Sequence, residues 1–359
     1  MQSDMHYYGT YVMARSAGIK AEAAKIIAYS AQFVDDNAKS EEILFKDAGS
    51  INAKATAHHA VDVKNLDETD QRQIWVPFHF LPGNEGESFT ERLICRKNSK
   101  IAQEMCHNAL SNGDKDYILQ LIGITAHVFA DTFAHYGFSG ISSRRNKVIN
   151  DSIDLIELDT EMEKYITEKQ KKFKEEHKGG IFKNIKSSLI EVVSGALGHG
   201  AVATYPDRPY LKWAFKYEEP EKESDLRDNP RTFLEGCEEL YNFFKDFVTN
   251  NPQYSDGIDI DFTAVKSDVE KVLQTQADKA GRIQAWQTAV KEGKFYDSLG
   301  TDIPAYDKED WLGSAKALDR ASDSGKALTE NVYKYYKAAS YHRNYILRTL
   351  LPKHELVIA

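Results

Sequence analysis

The feature that most constrains this 359-residue chain is a long apolar run that carries three potential metal ligands. The run from Ile118 to Phe138 is mostly hydrophobic on every side, which predicts a helix buried inside the protein. His127, Asp131 and His135 follow one another within it at intervals of four residues. Residues four apart on an α-helix drift by only about 40° around its axis, so these three side chains share one stripe.

Burying two imidazoles and a carboxylate costs free energy unless each polar group finds a partner. A metal ion is the simplest compensation, because His and Asp four residues apart can converge on one ion and a central carboxylate can bridge two. We therefore interpret His127, Asp131 and His135 as metal ligands. The alternative is that they are satisfied core or surface groups. Gly123, one step earlier on the stripe, would allow another element to approach closely.

Further candidate ligands lie in four separate stretches, all before residue 208. Two adjacent carboxylates at the end of the first long helix, Asp35 and Asp36, oppose the helix dipole unless a cation is near. A glycine- and proline-rich stretch from 198 to 209 would let the backbone approach a crowded site. The candidate ligands in these stretches are Asp4 and His6, Asp36, His58 and His59, and His199 and Asp207.

Two of these groups leave alternatives open. If His58 and His59 are helical, their side chains point about 100° apart and do not face the same ion, and the pattern slightly favours His59. His79 lies in an aromatic loop, where it could orient a substrate, bind a metal or be structural.

Helical periodicity dominates the chain, which predicts an all-α fold. The segment 74–80 is the best candidate for extended chain, and the polar stretch 217–229 is a candidate linker. We expect a metal-binding helical domain over 1–215 and a helical C-terminal extension over 216–359, packed on or beside it. The predicted helices are 18–35, 50–62, 99–111, 114–137, 151–174, 182–197, 230–249, 262–292 and 308–348.

Composition excludes several classes of protein. A net charge of −9 argues against a general nucleic-acid binder. The three cysteines, Cys95, Cys106 and Cys237, lack the CxxC spacing of a zinc ribbon and do not form a disulfide framework. The first residues have no basic and apolar leader, and no stretch is apolar enough to cross a bilayer. We expect a cytoplasmic protein, with signal-independent export left open.

The order of these residues resembles the zinc-dependent phospholipase C and S1/P1 nuclease superfamily, and the amino-terminal domain of glycosylphosphatidylinositol-specific phospholipase D. The shared order is an early His, an Asp after the first helix, a His, the HxxxDxxxH helix, and a late His followed by an acid. More narrowly, the phrases HYYGTY (6–11) and AQFVDD (31–36) are similar to an uncharacterised bacterial family of unknown function, DUF6765.

The resemblance implies a multi-helix phospholipase C/P1 nuclease-like bundle with two to three zinc ions and additional C-terminal helices. The implied activity is phosphodiester hydrolysis by a metal-bridging hydroxide, with a lipid or nucleotide substrate. Asp36 would orient the water or act as the base, and Arg208 would stabilise negative charge. The alternatives are a metal-stabilised, non-catalytic interaction protein and a nuclease of the same fold; we expect no stable nucleic-acid binding.

This chain departs from the superfamily's pattern in three ways. The secreted enzymes bind a metal through the amine of an N-terminal Trp, whereas this chain begins with Met, so we expect Asp4 to take that place. The gap between Asp36 and the following His is longer than in the phospholipases. The late acid, Asp207, stands eight residues after His199 rather than four. These departures bear mainly on the third metal.

Overall fold

The apolar run folds into a single helix, Ile118–His135, which is called the central helix below. Every residue in it except Leu119 is buried, as expected for a helix that is apolar on all sides. The predicted helix over 114–137 is thus confirmed. Four other helices pack around the central helix: Ala21–Asp36, Lys100–Leu110, Asn229–Asn250 and Asn331–Tyr345.

The computed structural model describes residues 1–58, 67–179, 202, 204–258, 260–295 and 302–358. Helix is the dominant secondary structure in these ranges, including π-helical segments at Asp4–Gly9, Gln71–Trp75 and Ile346–Leu350. The remaining α-helices are Thr10–Ser16, Glu68–Asp70, Val76–Phe78, Phe89–Arg92, Thr160–Gly179, Phe262–Leu273, Lys279–Lys291, Glu309–Leu318, Ser324–Ala327 and Leu351–Lys353. Short 3₁₀ turns occupy Arg144–Asn146, Asn150–Ser152, Tyr205–Asp207 and Pro252–Tyr254.

The fold is helix-rich rather than all-α, because it also contains small antiparallel sheets. The strands are β1 Glu41–Leu44, β2 Ser50–Ala53, β3 Asp154–Ile156, β4 Lys212–Ala214, β5 Lys216–Tyr217, β6 Lys222–Glu223 and β7 Arg227–Asp228. In the first sheet β1 pairs with β2 and places Ile43 opposite Ile51. In the second sheet β4 lies between β3 and β7, and in the third β5 pairs with β6.

Several local predictions were wrong. The start of the helix predicted over 50–62 is strand β2, because it pairs with β1 across a turn in which Ala48 has a positive φ of 65°. The segment 74–80 is helical rather than extended, since Pro77 falls in the first turn of a short helix, where a missing N–H costs nothing.

The longer C-terminal predictions were wrong in extent. The 262–292 prediction divides into two helices, and Asp278 caps the second by accepting a hydrogen bond from the Gly281 N–H. The 308–348 prediction divides into three α-helices, followed by the start of a π-helix, and the candidate linker 217–229 contains β6 and β7. The helix predicted over 182–197 lies outside the described residues.

One hydrophobic core joins the two halves of the chain. It includes Phe33 and Phe129 from the first half and Phe244, Trp311 and Tyr335 from the second. The Phe33 ring lies 5.2 Å from that of Trp311 and 4.9 Å from that of Tyr335. The boundary at 215/216 stays a prediction. Within the described ranges no helix combines the length and apolarity that a membrane span requires.

Gly123 lets the central helix approach the helix Ala21–Asp36 closely, as the sequence predicted. A Cβ at Gly123 would lie 2.3 Å from the Ile27 carbonyl oxygen and 2.6 Å from the Ser30 Cβ. Contacts this short with backbone cannot be relieved by rotating a side chain. The close packing of the central helix against the helix Ala21–Asp36 therefore depends on the absence of a side chain at Gly123.

We expect Gly123→Ala to destabilise the protein by about 2 kcal/mol or more, because the clash outweighs the helix propensity gained. Urea unfolding measures the effect. The matched control is Gly313→Ala, a helical glycine with nothing within 4 Å of an added Cβ, which should stabilise by up to about 1 kcal/mol. Equal effects at both positions would contradict the close-approach argument.

His342 binds the turn that precedes His79. Its Nε2 donates to the Pro77 carbonyl at 2.9 Å, and its ring stacks on Phe78. Burial lowers the pKa of His342 to about 4. In the unfolded chain this pKa is near 6.5, so between about pH 6.5 and pH 4 the unfolded state binds more protons.

The contribution of His342 to stability is therefore complete above about pH 6.5 and is lost as the pH falls toward 4, by about 3 kcal/mol in total. Denaturant unfolding at a series of pH values should show this loss, and His342→Gln should flatten the slope. His107→Gln, at an exposed histidine, is the control and should leave the slope unchanged. A steep slope retained by His342→Gln would refute the assignment.

Candidate metal centre

Asp131 lies at the centre of a buried polar cluster formed by distant parts of the chain. Its side chain is fully buried in the middle of the central helix. The N-terminal residues, the end of the helix Ala21–Asp36, the turn at His79 and the 3₁₀ turn Tyr205–Asp207 all bring polar atoms to it. These segments meet because the central helix is enclosed by the elements that carry them.

Three donor atoms form a nearly equilateral triangle on one side of Asp131. The His79 Nδ1 to His127 Nε2 distance is 3.3 Å, and the Asp131 Oδ2 lies 3.4 Å from His79 Nδ1 and 3.3 Å from His127 Nε2. Zinc–ligand bonds of about 2.0–2.1 Å give tetrahedral edges of about 3.3–3.4 Å. The Asp35 Oδ1 lies 3.9 Å from both imidazole nitrogens of this triangle.

The hydrogen bonds behind these rings fix which nitrogen faces the centre. His127 Nδ1 donates to the Ala31 carbonyl at 2.7 Å, and His79 Nε2 donates to the Thr56 carbonyl at 2.9 Å. Neutral rings held in this way present lone pairs at their inner nitrogens, as metal-binding histidines do. Asp131 Oδ2, between them, has no hydrogen-bond partner among the described residues. Two lone pairs and a carboxylate oxygen face one another, an arrangement that a cation would stabilise.

A second group of atoms surrounds the other oxygen of Asp131. The amine of Met1 donates to Asp131 Oδ1 at 2.7 Å and lies 3.2 Å from Asp207 Oδ1. His6 Nε2 is 3.2 Å from Asp131 Oδ1, and neither ring nitrogen of His6 has a hydrogen-bond partner in the part of the chain that the structure describes. His135 Nε2 lies 3.1 Å from Asp207 Oδ1, while His135 Nδ1 donates to the His79 carbonyl at 2.9 Å.

Charge is distributed unevenly in this second group. Burial alone would lower the pKa of the Met1 amine, but Asp131, Asp207 and Asp35 outweigh it and raise the pKa to about 11. Burial, with the charges of His127 and the amine, holds the pKa of His6 well below its usual value. The structure thus contains a neutral imidazole and an ammonium group beside Asp131, and the ammonium supplies positive charge where a metal ion would otherwise do so.

Among the residues that the structure describes, two sets of three donors satisfy the spacing needed to hold an ion: His6, His127 and Asp131, and Asp35, His79 and His127. The sets share His127, and Asp131 reaches both through its two oxygens. Asp35 is the most exposed of these groups, with 32% of its side chain accessible, whereas Asp131 is fully buried. The donors therefore fit a metal group, and the Asp35 side faces solvent.

The structure brings five of the predicted ligands into this cluster and places others elsewhere. The five are His6, His127, Asp131, His135 and Asp207. Asp36 instead accepts hydrogen bonds from the Tyr306 hydroxyl at 2.7 Å and from Gln32 Nε2 at 3.0 Å. His58 Nε2 lies 3.1 Å from Asp70 Oδ2. His59 and His199 fall outside the described residues, so their ligand roles stay predictions.

Two further predicted residues also bind other partners. Asp4 is paired with Arg282, and the place beside Asp131 expected for it belongs to the Met1 amine. The Arg208 guanidinium donates to the Tyr210 hydroxyl at 3.3 Å and to Thr204 Oγ1 at 3.1 Å.

Sequence reasoning missed Asp35 and left His79 undecided. Asp35 and Asp36 are adjacent, and only the rotation of their helix decides which carboxylate faces His127. Asp35 lies four residues after Ala31, whose carbonyl accepts from His127, and that contact is visible only in the structure. The role of His79 follows from contacts with residues far away in the chain, for which the sequence holds no local signal.

Arg227 closes the C-terminal end of the central helix, next to His135. Its guanidinium donates to the carbonyls of Ala134 at 2.7 Å and Tyr136 at 2.8 Å, and lies 3.7 Å from the Tyr136 ring centroid. It is buried and has no carboxylate partner among the described residues. Free carbonyls at a helix C-terminus need donors, and a cation there also complements the helix dipole.

We expect Arg227→Met to destabilise the protein by about 3 kcal/mol, because two buried carbonyls lose their donor. Thermal or urea unfolding checks the value. Arg231→Met is the matched control: its side chain is 79% exposed and pairs with Glu235, so the cost should stay below about 0.5 kcal/mol. A cost at Arg227 as small as that of the control would contradict the capping role.

Comparison with known proteins supports a family but not an activity. A family model described as "Family of unknown function (DUF6765)" matches residues 1–350, almost the whole chain. Comparisons with curated proteins and with solved structures found no match. The resemblance to the phospholipase C and nuclease superfamily gains no support from them and stays a hypothesis. The chain belongs to the family of unknown function DUF6765.

Proposed function

We propose that this protein is a zinc-dependent phosphodiester hydrolase with a phospholipase C-like fold and a two-metal centre. The observation that carries the proposal is the triangle of His79 Nδ1, His127 Nε2 and Asp131 Oδ2, with edges of 3.3, 3.4 and 3.3 Å. These edges match a tetrahedral zinc ion, and the donors are imidazole and carboxylate, which zinc accepts readily.

The two oxygens of Asp131 favour two ions rather than one. Oδ2 faces the donor set of His79, His127 and Asp35, whereas Oδ1 lies beside His6 and the Met1 amine. If two ions bind, Asp131 would contribute one oxygen to each of them, as shared carboxylates do in two-metal hydrolases. When bound, zinc would supply a water of lowered pKa and a Lewis acid for phosphoryl oxygens. A third ion, near His135 and Asp207, extends the same proposal.

The chain's own residues would orient the reaction. The outer hydrogen bonds of His127 and His79 to backbone carbonyls fix the two rings, so donor geometry does not relax when substrate arrives. Asp35, at the solvent-facing side, is placed to hold the attacking water by accepting its hydrogen bond. Arg208 is buried, has no carboxylate partner among the described residues and retains an unpaired Nε, so it supports the predicted role of binding negative charge.

A metal-stabilised, non-catalytic protein is the alternative, favoured by the burial of the donors. His6, His127 and Asp131 are fully buried, and His79 and His135 are 4% exposed, as in a structural site closed by protein ligands. The two functions differ in whether one coordination position is open to a substrate.

We expect the purified protein to contain two or three zinc ions, and Asp131→Asn to lose at least two of them, because Asp131 belongs to one donor set and its Oδ2 lies 3.4 and 3.3 Å from the His79 and His127 nitrogens of the other. His127→Ala should also lose metal. Elemental analysis measures the content, and Asp116→Asn, at an exposed aspartate paired with Lys337, is the control that should retain all zinc. Unchanged metal content in Asp131→Asn would remove the site assignment.

The zinc-loaded protein should hydrolyse bis(p-nitrophenyl) phosphate, and chelation should abolish the reaction. Asp35→Asn should reduce the rate about 100-fold or more, if that carboxylate orients the water as a general base does. Phosphatidylcholine and single-stranded DNA as substrates separate a lipase from a nuclease. Full zinc occupancy with no cleavage of any of the three would favour the structural alternative.

A further inference from the structure

Arg282, from the C-terminal half of the chain, binds the N-terminal segment at the candidate metal centre. Its Nε donates to Asp4 Oδ2 at 2.6 Å, and its Nη2 donates to Gln2 Oε1 at 2.7 Å and to Asp4 Oδ1 at 3.3 Å. Its Nη1 donates to the Ala277 carbonyl at 2.9 Å, just before the helix Lys279–Lys291. A single guanidinium thus joins two N-terminal side chains to the start of that helix.

The pair is isolated from solvent. Arg282 is 1% exposed and Asp4 is fully buried. The same helix also contacts the N-terminal segment at a second point, where a Cβ on Gly9 would lie 3.4 Å from the Trp286 ring. The π-helical turn Asp4–Gly9 is therefore held against the helix Lys279–Lys291 by a polar contact near its start and a ring contact at its end.

The segment held in this way carries two of the donors that face Asp131. The Met1 amine precedes Gln2, and His6 lies two residues after Asp4. Unlike His127 and His79, His6 has no outer hydrogen bond to a backbone carbonyl, although its ring stacks on that of His127 with the centroids 3.8 Å apart. The Met1 amine is held at its inner side by the hydrogen bond to Asp131. The approach of both groups to Asp131 therefore also depends on how the backbone of the segment is anchored.

Stability alone is a weak reason for this contact. A buried ion pair costs desolvation on both sides and is often no more stabilising than apolar side chains of similar volume. A forked guanidinium does, however, fix direction, because two parallel bonds to one carboxylate leave little rotational freedom. The better-supported role is positional.

We propose that Arg282 is a positioning residue for the metal centre: its bonds to Asp4 and Gln2 hold the N-terminal segment so that the Met1 amine and His6 face Asp131. The part of this proposal that concerns metal binding rests on the proposed function. It implies that residues beyond 215 complete the site, and that loss of Arg282 removes His6 and the Met1 amine from the Oδ1 side of Asp131 while leaving the set of His79, His127 and Asp35 intact.

The first experiment measures zinc per chain in Arg282→Met and in the double variant Asp4→Asn/Arg282→Met. The double variant removes both charges, so it does not leave a carboxylate buried without its cation if the single variant fails to fold. We expect each folded variant to contain one zinc ion fewer than the wild type. Full zinc content in the folded double variant would overturn the proposal, and so would loss of all zinc.

The second experiment does not depend on metal. An amine-reactive reagent at fixed pH should label the Met1 amine slowly in the wild type, where the group is buried, and about tenfold faster or more in the two Arg282 variants, where the segment opens locally. Peptide mapping reports the labelling site. Equal labelling rates in the wild type and the folded double variant would overturn the positioning role.

Arg15→Met is the matched control. Arg15 is another buried arginine paired with an aspartate, Asp256, and its guanidinium also donates to the Ile19 carbonyl. It should leave both zinc content and amine labelling unchanged, and a change equal to that of the Arg282 variants would show that general destabilisation is the cause. If the wild type itself binds no zinc, the proposed function fails, while the labelling result still decides the role of Arg282.

Discussion

The structure depends on a carboxylate, Asp131, buried at the middle of an apolar helix. An ionised carboxyl at such a position is stable only beside a compensating charge, which the Met1 ammonium supplies at 2.7 Å, while imidazole nitrogens of His6 and His127 lie 3.2 and 3.3 Å away. The close approach permitted by Gly123 brings the Asp35 end of the neighbouring helix to the same place. The same contact between two helices therefore both packs the core and brings Asp35 to the polar cluster.

The cluster differs from an ordinary buried ion pair in its surplus of electron pairs. The outward hydrogen bonds of His79 and His127 turn the inner ring nitrogens into acceptors, and Asp131 Oδ2 lies between them without a donor. Only the Met1 ammonium, on the Oδ1 side, supplies a cation among the described residues near Asp131. This imbalance is the physical argument for metal ions. It is independent of any resemblance, and it does not by itself select hydrolysis over a structural role.

The C-terminal half supports the cluster through Arg227, His342, Tyr306 and Arg282. Arg227 binds the end of the central helix, and His342 binds the turn before His79. Tyr306 binds Asp36, the carboxylate beside Asp35, and Arg282 binds Asp4, two residues before His6. Large rings from the same half, Trp311 and Tyr335, complete the core around Phe33. A description of these residues as an added extension would miss their part in shaping the centre.

The sequence by itself determined the central helix and its buried stripe of His127, Asp131 and His135, because helical periodicity and the cost of burying polar groups are local properties. It indicated that Gly123 would allow a close approach, and the structure showed which helix makes it. It could not choose Asp35 over Asp36, since a rotation of about 100° about the helix axis depends on what the helix packs against. It also could not place the Met1 amine and His79 in the cluster, or assign Asp4 to Arg282. Those contacts join residues 48 to 278 positions apart, and only the tertiary packing brings them together.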